Sequence, residues 1–172
     1  MSSYTERLLG AAKLDPRIYE EVEHDPQSMG QAAWTVVLAS FAAGIGSVSA
    51  GGVSGLLLGA VAALVGWLIW AYLTYYIGSK FLATSATEVS LSQMLRTIGF
   101  ASSPGLIRIL GIVPGLTGLV FLFAGLWMLA AMVVAVRQAL DYTSTMRSVT
   151  VCLLGWIVQA LVLALFISAF RP

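Results

Sequence analysis

Arg108 is the one charged side chain set deep in an apolar stretch. It lies between two isoleucines in RTIGFASSPGLIRILGIVPGLTG, residues Arg96 to Gly118, four positions after Pro104. A charge inside hydrocarbon costs several kcal/mol, so such a residue marks a functional path, a structural partner or a helix end close to water. Near the far end of the stretch, at Pro114, a long side chain could snorkel outward, since six residues of α-helix span about 9 Å. Pro104 also frees backbone carbonyls that a guanidinium could reach, and Gln159 on a later apolar segment is another possible acceptor. A structural role for Arg108 is the preferred reading, ahead of contact with a lipid phosphate or a substrate.

Other chemistry-bearing types are sparse. His24 is the single histidine, with Glu20 one helical turn before it. A metal centre needs several converging ligands, so a solvated helix end explains this pair better. Nucleophilic hydrolysis needs an activated nucleophile and a base within reach. The apolar segments contain no histidine, lysine or carboxylate, which argues against catalysis inside them. The stretch GIGSVSAGG imitates a phosphate-binding loop but lacks the required lysine, and close helix packing accounts for its small residues. Cys152 lies in an apolar run and reads as a small core residue.

The elements that position these residues belong to a membrane protein. Of 172 residues, 59% are hydrophobic and 10% charged, where soluble domains carry about a quarter charged. A net charge of +1 leaves no basic surface for nucleic acid, and no nucleic-acid partner is expected. A spanning helix needs about 20 mostly apolar residues. Five candidates follow: 31–48, 56–77, 98–113, 116–136 and 149–170. The third is short and contains Pro104 and Gly105, so a re-entrant segment competes with a crossing. Charge decides between them. Five crossings place Arg7, Lys13, Arg17, Lys80, Arg96, Arg137 and Arg147 on one side and only Arg171 on the other. Cytoplasmic loops collect Lys and Arg. The expected fold is therefore an all-α, integral membrane five-helix bundle, N-terminus cytoplasmic and C-terminus outside. Residues 1–30 form a cytoplasmic segment and 31–172 the membrane domain. No signal peptide precedes the first apolar stretch, and a multi-pass protein of the cell's inner (plasma) membrane is expected.

Within 1–30, Asp15-Pro16 and Asp25-Pro26 each join an N-cap residue to a helix-starting proline. Between them Ile18, Tyr19 and Val22 share one face of a short amphipathic helix, with Glu20, Glu21 and Glu23 mostly on another. Gly55, Gly59 and Ala63 share a face at four-residue spacing, as do Ala39 and Ala43, which suits tight helix packing. Trp67, Trp70, Tyr72, Tyr75 and Tyr76 crowd one half of the second span; the tyrosines suit a headgroup belt, and Trp67 and Trp70 sit deeper, within reach of lipid tails, quinone or pigment.

Four stretches carry a resemblance: DPRIYEEVEHDPQSMGQA, GWLIWAYLTYYIG, LRTIGFASSPGLIRILGIVPGLTGLV and MVVAVRQALDYTSTMRSV. Together they resemble bacterial members of the Yip-domain family, multispanning proteins related to the Ypt/Rab-interacting proteins of eukaryotes. The most specific part is the Gly-Phe-Ala-x-x-Pro-Gly-x-x-Arg run from Gly99 to Arg108, followed by Pro114-Gly115. The resemblance implies five helices behind a cytoplasmic N-terminal segment and, for eukaryotic relatives, partnership with small GTPases and membrane shaping. It carries over no catalytic residue. It implies that Pro104, Gly105, Arg108, Arg137, Gln138 and Asp141 belong to a structural signature, with Arg96 and Asp141 a candidate ion pair between the third and fourth spans.

The function expected is a non-enzymatic membrane scaffold, an accessory subunit of a larger complex, or a membrane-organising protein. The alternative is a small transporter or channel with Arg108 and the Pro104 break at its polar centre. Partners are the bilayer and a membrane protein met through the spans. No cofactor or metal is expected, and bound lipid is.

Overall fold

The computed structural model describes residues 2–47 and 56–169, with side chains omitted for 56–58 and 162–169. All regular structure among the described residues is helical. Seven α-helices are present: α1 (Tyr4–Ala12), α2 (Pro16–His24), α3 (Ser28–Gly46), α4 (Leu56–Tyr76), α5 (Leu91–Phe100), α6 (Thr117–Ala139) and α7 (Thr145–Ala169). A π-helical turn, Ile77–Phe81, extends α4, and a 3-10 helix, Ser103–Ile112, follows α5. Among the described residues, three helices are long and apolar enough to cross a membrane, at Ser28–Gly46, Gly59–Phe81 and Thr117–Ala139. The chain is thus an all-helical membrane protein. The loop at 48–55, Gly55 of the predicted packing face, the last residue of the predicted fifth span and Arg171 lie outside the described residues.

Two features differ from the sequence reading. The N-terminal segment forms two short helices, not one. A capping box closes α1: the Ser3 hydroxyl accepts from the Glu6 amide, and the Glu6 carboxylate accepts from the Ser3 amide. Asp15 caps α2, with Pro16 in its first turn, as the sequence implies. Asp25 does not cap α3; it accepts from the Gln27 amide in a turn, and α3 starts at Ser28.

The third predicted span, 98–113, is not one helix. It is the end of α5, a turn at Ala101–Ser102, and the 3-10 helix. The helix α5 ends at Phe100, and Pro104 falls in the first turn of the 3-10 helix, where its missing N–H costs no intrahelical bond. Ten residues is long for a 3-10 helix, which rises about 2.0 Å per residue against 1.5 Å in an α-helix. Together α5 and the 3-10 helix reach about 35 Å, whereas sixteen α-helical residues would reach about 24 Å against a hydrocarbon layer of about 30 Å.

The packing register runs along this composite segment. A Cβ on Gly99 would lie 2.7 Å from the Ala32 Cβ, one on Gly105 would lie 3.3 Å from the Ala39 Cβ, and one on Gly46 would overlap the Arg108 carbonyl oxygen. Both chains therefore ascend together, α3 beside α5 and the 3-10 helix. Helix α6 descends against them: Phe121 lies beside Gly111, Met128 beside Gly105, and Ala131 and Ala135 pack with Phe100 and Ala32. At the end where α3 begins, α2 lies across α5 and α6 as a cap, and α1 packs on α2 and the 3-10 helix, burying Ala11, Tyr19 and Val22. On the other flank Trp70, Ala71 and Ile77 of α4 pack with Val136, Ala139, Val151 and Cys152.

Candidate functional site

At the capped end the polar groups are engaged in holding segments together. Arg7, buried on α1, donates to Glu21 and to Gln31 and pairs with Asp25 at 2.8 Å, joining α1, α2 and α3. Hydrogen bonds from Ser2 and Arg7 hold the Glu21 carboxyl down to about 2. The Trp127 indole of α6 donates to the Ala12 carbonyl at 2.7 Å.

Arg96 does not pair with Asp141. Its guanidinium is buried and donates to the Val22 and Glu23 carbonyls, which the last turn of α2 leaves without intrahelical partners. A cation at a helix C-terminus also meets the negative end of the macrodipole. The predicted pair fails because Asp141, exposed and in the left-handed region at φ +50°, sits just past the end of α6, while α2 comes between. Glu23, placed on the outward face by its position in the sequence, is only 1% exposed. Gln93 donates to its Oε1 at 3.0 Å, its Oε2 has no partner among the described residues, and burial pushes its carboxyl up to about 7.

Arg137, Gln138 and Asp141 share the end of α6 but do not converge. Arg137 reaches over the α6–α7 turn to the Tyr142 and Thr143 carbonyls and the Thr145 hydroxyl. Gln138 donates to Glu20 of α2 at 3.3 Å. The turn is tied to α4 by the Tyr142 hydroxyl, which lies within hydrogen-bonding distance of the Gly78 and Leu82 carbonyls. His24 and Glu20 do share one turn, with the His24 Nδ1 at 3.0 Å from the Glu20 carbonyl. Among the described residues no three metal-ligating side chains converge.

The remaining charged group is Arg108, in the middle of the 3-10 helix. Its guanidinium stands over the Phe121 ring, 5.5 Å from the centroid. Its Nε is buried without a hydrogen-bond partner among the described residues, so neither the carbonyls near Pro104 nor Gln159 holds it. The carbonyls around Pro104 have a local use: Ser102 accepts from the Gly105 amide at 2.9 Å. Pro104 starts the 3-10 helix, and Gly105 lets it close on Met128 and Ala39.

Two cavities meet at Arg108. One, of about 530 Å³, is lined by Trp67, Trp70, Leu126, Trp156 and Gln159 among others. The second, of about 430 Å³, lies between α3 and α4 against Val36, Ala39, Ala43, Gly59 and Ala63. Ser102, Arg108, Phe121 and Met128 line both. Trp67 and Trp70 are held by their indole N–H groups, Trp67 to the Leu95 carbonyl at 3.0 Å and Trp70 to the Met132 sulfur at 3.2 Å. The cavity walls are thereby fixed by α4, α5 and α6.

Arg108, Trp67 and Trp70, singled out in the sequence, line the same cavity, whereas Phe121, Arg7, Glu23 and Tyr142 were not singled out. Arg7 lies fourteen residues before Glu21, a separation with no helical signature. Phe121 is one aromatic residue in an apolar run, without a local mark.

A family model, the Yip1 domain, matches residues 14–167. The chain belongs to the Yip1-domain family. No curated protein and no solved structure matches it. The matched stretch takes in the composite third segment, Arg108 and the α6–α7 turn, while α1 precedes it. Membership fits the membrane-embedding helices.

Proposed function

We propose that this Yip1-domain protein is a non-enzymatic membrane scaffold: an accessory subunit of a larger membrane assembly, or a membrane-organising protein. The observation that carries this reading is how its polar groups are used. Arg7, Arg96, Arg137, Trp127 and Tyr142 are engaged in bonds between segments of the chain. The outward faces of α4 and α6 present Val61, Val65, Leu68 and Leu119 to their surroundings. Such faces meet lipid or a neighbouring helix, and side-by-side association is their chemistry.

The bundle crosses the membrane five times, through α3, α4, the α5 and 3-10 segment, α6 and α7. The ascending register of the third segment beside α3 supports this count. The N-terminus is cytoplasmic in this reading, because Arg7, Arg17, Arg96 and Arg137 belong to the capped end. The protein resides in a bacterial inner membrane.

Extraction of native membranes into nanodiscs, followed by mass spectrometry of what remains bound, tests the scaffold role. A stoichiometric membrane-protein partner is the expected result; a solitary chain surrounded only by lipid refutes it. The cavity reaching Arg108 supports a second reading, a small carrier. That reading requires Arg108→Leu to abolish solute flux in proteoliposomes while the fold is retained.

A further inference from the structure

We infer that Arg108 and the two cavities meeting at it form a site for one anionic phospholipid, with the phosphate at the guanidinium and an acyl chain in each cavity. The inference holds whether the protein is a scaffold or a carrier, since it needs only the membrane setting.

The first argument is charge. A guanidinium cannot shed its proton in a protein, so Arg108 carries a permanent cation into apolar surroundings. Partial compensation comes from the Phe121 ring 5.5 Å away. Full compensation needs an anion. The chain has no acidic residue between Asp25 and Glu88, between Glu88 and Asp141, or after Asp141. Asp25 is paired with Arg7 in the cap, Glu88 precedes α5 at the same end, and Asp141 ends α6 there. No acidic side chain among the described residues is placed to neutralise Arg108, and an anion from another molecule would do so.

The second argument is depth. The Arg108 backbone abuts Gly46, the last residue of α3, and its side chain covers Phe121, one turn into α6. Arg108 thus lies at the level where these helices end, opposite the capped end. Lipid phosphates occupy that level.

The third argument is shape. The cavities fall within the size range of small-molecule sites. Trp67, Trp70 and Leu126 make the first apolar, and Val36, Ala39 and Ala63 do the same for the second. Two apolar slots joined at one cation match an amphiphile with two chains joined at one anion. A free phosphate leaves both slots unfilled. A zwitterionic lipid brings a second cation for which no acidic residue is near.

The full-length protein in mild detergent, titrated separately with dioleoyl phosphatidylglycerol, dioleoyl phosphatidylcholine and inorganic phosphate, tests this by native mass spectrometry. One retained phosphatidylglycerol per chain is expected, with phosphatidylcholine held roughly tenfold more weakly, because its choline cation offsets the phosphate charge and finds no acidic partner. Arg108→Gln should weaken phosphatidylglycerol by a similar factor, and Arg108→Lys by less. Gly125 lines the first cavity and Gly59 the second, and a Cβ on either meets nothing within 4 Å. Gly125→Leu and Gly59→Leu therefore fill the slots while leaving Arg108 intact, and each should lower retention. Equal binding of the two lipids overturns the proposal. So does undiminished retention in folded Arg108→Gln or, should that variant not fold, in both leucine variants. Displacement of phosphatidylglycerol by inorganic phosphate alone makes this a phosphate site without chains and overturns it as well.

Discussion

Glu23→Gln should remove most of the pH dependence of stability between about pH 5 and pH 8. Glu23 is 1% exposed, and burial raises its carboxyl from 4.5 to about 7. In the unfolded chain it ionises near 4.5, while in the docked cap it holds its proton to about 7. The folded state therefore binds more protons across this window, and stability falls as pH rises through it. A shift of that size corresponds to about 3 kcal/mol, lost mostly between pH 4.5 and 7 and levelling off above. The groups that act on Glu23 are His24, Glu20, Asp141 and Arg96. His24 has the same sign, since its hydrogen bond with the Glu20 carbonyl raises its pKa, so His24→Gln is the matching control. Glu21, held down to about 2, contributes only below this range. The assay is chemical or thermal unfolding in detergent at pH 5.5 and pH 8. Wild type should lose stability at the higher pH. Glu23→Gln should gain about 2 kcal/mol on it between pH 5.5 and pH 8, the part of the shift that falls in that interval. A slope unchanged in Glu23→Gln, or carried wholly by His24, refutes the reasoning.

Three further outcomes follow from the packing. Arg7→Met removes the cation between Asp25 and Glu21 and should cost about 3 kcal/mol or more, seen as unfolding free energy and as faster proteolysis within α1 and α2. Gly46→Ala forces α3 and the 3-10 helix apart at the Arg108 carbonyl and should lower stability by about 1–3 kcal/mol in detergent melts, whereas Gly59→Ala, with open space, should change it by less than about 0.5 kcal/mol. Tyr142→Phe loses the hydroxyl that joins the α6–α7 turn to the end of α4 and should cost about 1–2 kcal/mol, read by the same melts.

Hydropathy and charge along the chain were enough to establish a helical membrane protein, because burying a helix in lipid needs a long apolar run wherever it occurs. The Asp15-Pro16 start of α2 and its Tyr19 and Val22 face were equally legible, since capping and amphipathicity act within a few residues. The four quoted stretches also pointed to the Yip-domain family, which the match over residues 14–167 bears out. Arg108 announced itself as a charge out of place. Its surroundings did not: Phe121 and the two cavities exist only once α3, α4, α6 and the 3-10 helix are side by side. Arg96 illustrates the same division. From sequence its nearest opposite charge on the adjoining span was Asp141, yet the docking of α2 supplied two orphan carbonyls that the linear order could not reveal. The change from α to 3-10 geometry after Pro104 was likewise decided in three dimensions. A proline marks where a helix stops, but the register against Ala32, Ala39 and Gly46 sets how far the next segment must stretch.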